Sequence, residues 1–509
     1  MTISQLRRKH PRLIYQDFEV KPDGKNLSIR FSFLLEPDIV FTPEIVIPVA
    51  VSNQESPRRG EETPGIRNLA FNLGMVEAIS YWKAACPPQL VVEAGYLSPE
   101  QISWWRNLFI HGLGEFFFRN QVDFTASDFL TIRSTQGSNL CSLQRLDLDG
   151  ELSGDLILAG GGKDSIVTME TLKTIPGRQN ALFLNSNQES PSFARRLLAK
   201  AGFPNPIVVD RKIDPKLLQL NKQGYLNGHT PFSAYLGFLG VLVAYLHGFK
   251  HLISSNELSA GEASLIYKSM EINHQYSKSF AFEKSFREYC SKYLFTNQES
   301  PGDARRLLNH TAGVNYFSFL RPLYELQIAK MFSSFAGARS FDSPAKGGIA
   351  QDDENYDAVF VSCNVGRGKF WCGRCPKCAF SYLSLFPFMP DARLKKIFGS
   401  DLFENPEIQN NILDLVGLGK YKPFDCVGTK DESVLAVALA IKKTKNQKPK
   451  TKNQQEFLIS LEQKLNLNDQ ESVKKLEGRI MENWSNQNFL PSEYSTILNR
   501  RLLAKPGVS

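Results

Sequence analysis

Short apolar runs set a helix length apart carry most of the information in this chain. After residue 151 the runs DLILA (155–159), ALFLN (181–185), PIVVD (206–210) and HLISS (251–255) alternate with segments long enough for helices, and AVFVS (358–362) reads as a further strand. Short β-branched runs separated by helices predict βαβ units and a parallel sheet covered on both faces. Residues 1–150 follow another rhythm. LSIRFSFLLE (27–36) and IVIPVAV (45–51) suggest strands, and helical segments follow around 70–85 and 99–112. Trp104 and Trp105 in the second helix read as packing residues. The expected organisation is an N-terminal mixed α+β domain (1–150), an α/β parallel-sheet domain (151–440) and a tail (441–509). Sites in such sheets lie beyond the carboxyl ends of the strands, and the polar motifs here begin where the apolar runs stop.

The uncharged run Pro231–Phe249 approaches the length of a membrane span. Its glycines, His247 and polar flanks favour a buried helix instead, so no membrane span is expected. Arg7, Arg8, Lys9 and Arg12 precede no apolar stretch, which argues against a secretory signal and for a cytoplasmic protein. Charge changes one inference. The formal charge of +8 invites a nucleic-acid partner, but six lysines and no acid lie between Lys442 and Lys452. The remainder is nearly neutral, so a basic groove, and with it nucleic acid, is disfavoured. KKTKNQKPKTKNQQ (442–455) reads as a disordered linker, followed by an amphipathic helix within 456–480. NQESP recurs at 53–57, 187–191 and 297–301, NQESPxxARRLL is shared by 187–198 and 297–308, and RRLLAKxG by 195–202 and 500–507. The unequal spacing excludes a solenoid, and the copies read as inserted elements in surface loops.

The segment DLILAGGGKDSIVTMETLK (155–173) ends a strand at Ala159, passes through Gly160, Gly161 and Gly162, and opens a helix with Lys163, Asp164 and Ser165. Consecutive glycines let the backbone approach a ligand and turn its N–H groups toward it, and the helix N-terminus adds positive charge, so a phosphate or pyrophosphate fits. Asp164 could hold magnesium beside those phosphates. The spacing matches neither GxxxxGK[ST] nor GxGxxG. It resembles the SGGxDS loop of the PP-loop ATP pyrophosphatase superfamily, with Gly160 in place of the first serine. That resemblance implies that residues 160–165 grip the pyrophosphate of ATP while a substrate oxygen is adenylated.

SCNVGRGKFWCGRCPKC places Cys363, Cys372, Cys375 and Cys378 in the spacing C-x8-C-x2-C-x2-C. Four thiolates close a tetrahedral site, which points to a structural zinc knuckle without an open catalytic position. The same spacing after a PP-loop is similar to 7-cyano-7-deazaguanine synthase.

Further segments narrow the resemblance: NKQGYLNGHTPFS (221–233), SNELSAGE (255–262), INHQYSKS (272–279), FSFLRPLYELQIAK (317–330) and KPFDCVGT (422–429). With the two motifs above they resemble the UDP-N-acetyl-α-D-muramoyl-L-alanyl-L-glutamate epimerase family, from the phosphate loop to about residue 430. The resemblance implies inversion of the terminal L-glutamate of UDP-MurNAc-L-Ala-L-Glu in cell-wall precursor synthesis, with ATP consumed to AMP and diphosphate. A Cα proton beside a free carboxylate is too weakly acidic to remove, and adenylating the carboxylate makes it removable. On this reading Glu257, His274, Lys278 and His229 are candidates for acid/base work, and Asn256, Arg321, Arg367 and Lys369 for the anionic substrate. Two alternatives stay open: another adenylating PP-loop enzyme acting on a deazapurine or tRNA base, and a zinc-stabilised binding protein without catalysis. The first wants a basic face, and the second does not require GGGKDS.

Overall fold

The structure, a computed structural model, describes residues 1–49, 62–134, 144–146, 152–186, 192–296, 313–335, 356–366, 370–446 and 451–504. Its strands are β1 (Arg12–Asp23), β2 (Asn26–Leu35), β3 (Ile39–Phe41), β4 (Glu44–Pro48), β5 (Gln89–Val92), β6 (Thr131–Ser134), β7 (Asp155–Leu158), β8 (Gln179–Asn185), β9 (Ile207–Lys212), β10 (His251–Ser254), β11 (Leu265–Tyr267), β12 (Met270–Ile272) and β13 (Asn315–Ser318). All but β11 and β12 join one sheet in the order β13-β10-β7-β8-β9-β4-β2-β1-β5-β6, with β3 paired to β2. From β13 to β9 the neighbours run parallel. The β9–β4, β4–β2 and β2–β1 pairs are antiparallel, and β1–β5–β6 is parallel again. The sheet is therefore mostly parallel and mixed in the middle. The β1–β2 hairpin closes through Gly24 at φ +58°, a left-handed position that glycine adopts without steric cost.

Alternation along the central strands explains the layering. Leu156 and Leu252 enter one apolar core, whereas Ile157 and Ile253 enter the other. Side chains two apart share a face, so β7 and β10 are buried on both sides. The helix Phe232–His247 belongs to the first core, is buried along most of its length, and stops at Gly248 in a left-handed cap. No helix among the described residues is long and apolar enough to cross a membrane.

Four expectations change. AVFVS (358–362) is not a strand: Tyr356–Ala358 forms a 3-10 turn, Phe360 and Val361 are buried, and the Phe360 carbonyl accepts a bond from Trp371 Nε1 at 2.9 Å. The apolar run serves the cysteine-rich segment, and β13 takes the sheet position beside β10. Of the lysine-rich stretch, 442–445 end the helix Lys430–Lys445 and 452–455 open the helix Lys452–Lys464, while 447–450 lie outside the described residues. Lys443 donates to the carbonyls of Phe386 and Met389 at 2.7 and 2.6 Å and pairs with Asp391 at 2.8 Å, which holds that end in place. Residues 456–480 are divided between Lys452–Lys464 and a second helix, Gln470–Met481. Finally, Ser192–Lys200 is a helix with Leu197 and Leu198 buried, so this copy of RRLL packs into a core rather than a loop. The NQESP positions and the copy at 302–308 lie outside the described residues.

Candidate active site

The chain leaves β7 toward β8 on one side of the sheet and returns to β10 on the other, so the order reverses between β7 and β10. Ligands in open α/β sheets bind in the crevice that such a reversal opens at the carboxyl ends. A cavity of about 550 Å³ lies there, lined by the loop after β7, by Ser254–Asn256 at the end of β10, and by Lys278, Glu325, Lys377 and Cys426 among others.

The loop after β7 has the geometry that its sequence predicts. Gly161 sits at φ +82°, where a side chain would be strained. Gly162 caps the helix Lys163–Leu172 without a side-chain hydrogen bond, so the helix presents its first N–H groups to the cavity. A Cβ on Gly162 would come 3.3 Å from Cβ of Ser362, so the C-terminal wall approaches the loop closely. Ser165 Oγ ties the loop together, accepting from Gly160 N at 3.3 Å and donating to the Gly162 carbonyl at 3.2 Å. Lys163 turns inward and pairs with Asp164 at 2.6 Å and with Glu325. Burial alone would lower its pKa, but the charges of Asp164 and Glu325 raise it, and the ammonium is retained.

Behind the loop, carboxylate oxygens of Asp164, Glu257 and Glu325 lie within 4.8 Å of one another. Glu257 is 1% exposed, and neither of its oxygens has a hydrogen-bond partner. Burial raises its pKa. Lys278 lines the cavity and is held protonated: burial lowers its pKa, but Cys426, Glu257 and Asp164 raise it further.

His274 and His229 stand together, their ring centroids 4.5 Å apart. His274 Nδ1 bonds Glu115 Oε2 at 2.6 Å, and Cys426 is a second neighbour that acts on the imidazole charge. Despite burial these partners push His274 up to about 9, whereas burial and the neighbouring His274 charge bring His229 down to about 3. Glu115 is occupied by His274 and by Arg119, whose Nε donates at 2.5 Å.

The substrate candidates separate. Asn256 lines the cavity, its amide donating to Ser254, Tyr316 and Ser318. Arg321 is 1% exposed and does not reach the cavity: it pairs with Glu283 and donates to the backbone carbonyls of Glu257 and Lys278. It braces the two loops that carry those residues. Arg367 and Lys369 lie outside the described residues. Glu115, Glu325, Lys377 and Cys426 escaped the sequence reading, although Glu325, Lys377 and Cys426 fall within segments singled out there. Only Glu115, a lone acid in the aromatic run GEFFFR, had a local signal.

The four motif cysteines converge. Their Sγ atoms lie within 4.8 Å of one another, with Cys363–Cys375 at 3.8 Å, Cys372–Cys378 at 3.7 Å and Cys375–Cys378 at 3.5 Å. Backbone N–H groups of Gly366 and Cys378 point at Cys363 and Cys375 sulfurs, at 3.3 and 3.4 Å. Cys363 itself touches the cavity, so the knuckle forms its C-terminal wall.

The cavity thus joins residues between Leu158 and Cys426, and two family models cover the segments on either side of residues 301–358. The family model for the MurL N-terminal domain matches residues 4–300, and that for the MurL C-terminal domain matches residues 359–474. The chain belongs to the MurL family. Curated members are similar over most of their length. An enzyme of Xanthomonas oryzae pv. oryzae named UDP-N-acetyl-α-D-muramoyl-L-alanyl-L-glutamate epimerase is 31% identical over 404 residues, 78% of this chain and 80% of the relative. Proteins of the same name from Salinispora tropica and Micromonospora sp. are 32% and 33% identical, covering 78% and 72% of this chain and 78% and 73% of their own. No solved structure matches the chain.

Proposed function

We propose that this MurL-family chain inverts the terminal L-glutamate of UDP-MurNAc-L-Ala-L-Glu in the cytoplasm, consuming ATP to AMP and diphosphate. The observation that carries this is the composition of one cavity: a glycine loop with an uncapped helix N-terminus faces Lys278 across the β7/β10 reversal. The loop, read as a PP-loop, holds the ATP phosphates through the N–H groups of residues 160–165. The terminal α-carboxylate attacks the α-phosphorus of ATP, the bond to the β-phosphate breaks, and diphosphate leaves. The adenylated carboxyl no longer repels an adjacent carbanion, so a side chain can take the Cα proton. Reprotonation on the other face and hydrolysis release the D-glutamyl product and AMP. Lys278 supplies positive charge to the enolate, Asn256, Arg367 and Lys369 bind substrate, and Glu257, His274 and His229 tune the proton-transfer groups.

Three carboxylates with an unpartnered Glu257 among them form a hard oxygen donor set, which fits magnesium. Asp164 would hold it, and the ion would neutralise phosphate charge when bound. The knuckle fits zinc by arithmetic: a tetrahedron with Zn–S of about 2.3 Å has S–S edges of about 3.8 Å, against 3.5–3.8 Å for three of the six sulfur pairs and at most 4.8 Å for all of them. Cys363, Cys372, Cys375 and Cys378 would hold it as a structural ion that fixes the C-terminal wall. Asp164→Ala tests the loop's role. We expect a folded protein that no longer forms AMP in response to the muramoyl dipeptide, and unchanged AMP formation would refute the assignment.

A further inference from the structure

We propose that Cys426 is a proton-transfer residue of the epimerisation, positioned by His274 and Glu115. The proposal rests on the epimerase reading above and adds a residue that neither the motifs nor the family description assigns. Cys426 is on the cavity wall, in the company of Lys278 and Lys377 and in the same cavity as the phosphate loop. His274 is its neighbouring imidazole, and Glu115 holds His274 Nδ1 at 2.6 Å. Cysteine, imidazole and carboxylate thus form a chain that ends on a cavity wall, the arrangement that activates a thiol.

The groups around the sulfur decide its charge. Burial pushes the thiol up, but Lys278, Lys377 and His274 outweigh burial and hold Cys426 well below the ordinary thiol range. Asp425 and Glu257 are the nearby acids. Glu257, unpartnered and 1% exposed, lies behind the lining residue Asn256 rather than on the cavity wall. None of the other cysteines outside the knuckle that the structure describes has these neighbours: Cys86 and Cys290 are buried in the apolar core, where burial raises them.

The chemistry balances. The thiolate of Cys426 takes the Cα proton of the acyl-adenylate, the C–H bond breaks, an S–H bond forms, and the electron pair passes into the enolate. Inversion needs the second proton on the opposite face of Cα, and Lys278, a second proton carrier lining the cavity, gives it from its ammonium across the bound substrate. The thiol then returns its proton to the Lys278 amine, which restores thiolate and ammonium without net change.

The test uses Cys426→Ser and Cys426→Ala in the full chain. Formation of D-glutamate and deuterium uptake at Cα in heavy water should both fall at least ~100-fold, the scale of a lost general base. Substrate-dependent exchange of labelled diphosphate into ATP, which reports adenylation alone, should stay within about threefold, a split that a merely structural cysteine would not give. Epimerisation retained within about fivefold overturns the proposal, as does a folded variant that loses diphosphate exchange in parallel. If wild-type protein epimerises without diphosphate exchange, the adenylation reading fails while D-glutamate formation still judges Cys426. Should the variants not fold, peptide mapping of wild-type protein after iodoacetamide at pH 6 decides: Cys426 should be alkylated and protected by substrate, and an unmodified or unprotected Cys426 overturns the proposal.

Discussion

Arg321 offers the sharpest separation between a residue that binds substrate and one that holds the site together. Its side chain and that of Glu283 are each 1% exposed, with Arg321 Nε 3.1 Å from Glu283 Oε2. Nη1 donates to the Glu257 carbonyl at 2.6 Å and Nη2 to the Lys278 carbonyl, while Glu283 Oε1 accepts from Ser318 N at 2.8 Å. Arg321→Met removes one ion-pair partner and leaves the Glu283 charge and two carbonyls buried without compensation. Breaking a buried pair in this way costs roughly 3–5 kcal/mol, a large share of a typical folding free energy of about 5–15 kcal/mol. Neutralising the stranded acid in the double variant Arg321→Met/Glu283→Gln should restore part of the loss. A double-mutant cycle by urea denaturation should therefore give a coupling energy of at least about 2 kcal/mol, within the range for contacting residues. Additive single effects, or an Arg321→Met protein as stable as wild type with only KM raised, would refute the bracing role.

Other consequences follow from the same structure. His274 keeps its proton up to about pH 9, against about 6.5 for free imidazole. Because its folded pKa is raised, the pairing with Glu115 and Cys426 contributes fully below about pH 6.5 and is lost as pH rises through 9. The stability gap between wild type and His274→Gln should thus shrink from pH 6 to 9.5 in urea titrations, and a constant gap would contradict this. Cys375→Ala should lose bound zinc by elemental analysis and lower the melting temperature, and a variant that keeps one zinc per chain would remove the knuckle assignment. Tyr494, in the helix Ser492–Leu503, bonds Asp155 Oδ1 at 2.6 Å and His251 Nδ1 at 2.8 Å. Tyr494→Phe should cost about 1–3 kcal/mol for the buried acceptor left behind and speed proteolysis of the tail, and unchanged cleavage would show that the tail does not depend on this contact.

What could be read from the sequence depended on whether the signal was local. The strands at 155–158 and 251–254 announce themselves because a strand buried on both faces is a plain apolar run, and the GGGKDS turn must form beside them. The cysteines of the knuckle lie within 16 residues, so their convergence was legible as well. Contacts between distant segments were not. Glu115 meets His274 across 159 residues, and Lys163 meets Glu325 across 162, and only folding brings them together. Arg321 illustrates the converse: an arginine in a motif reads as an anion binder, yet its burial shows a brace. AVFVS misled because an apolar run of strand length also suits an irregular segment packed on a small core.

The central claim is tested most directly by incubating the chain with ATP, magnesium and UDP-MurNAc-L-Ala-L-Glu and resolving the hydrolysed glutamate on a chiral column while counting AMP. The account predicts D-glutamate accompanied by AMP, both absent with Asp164→Ala. Glutamate that stays wholly L with no AMP formed would contradict it.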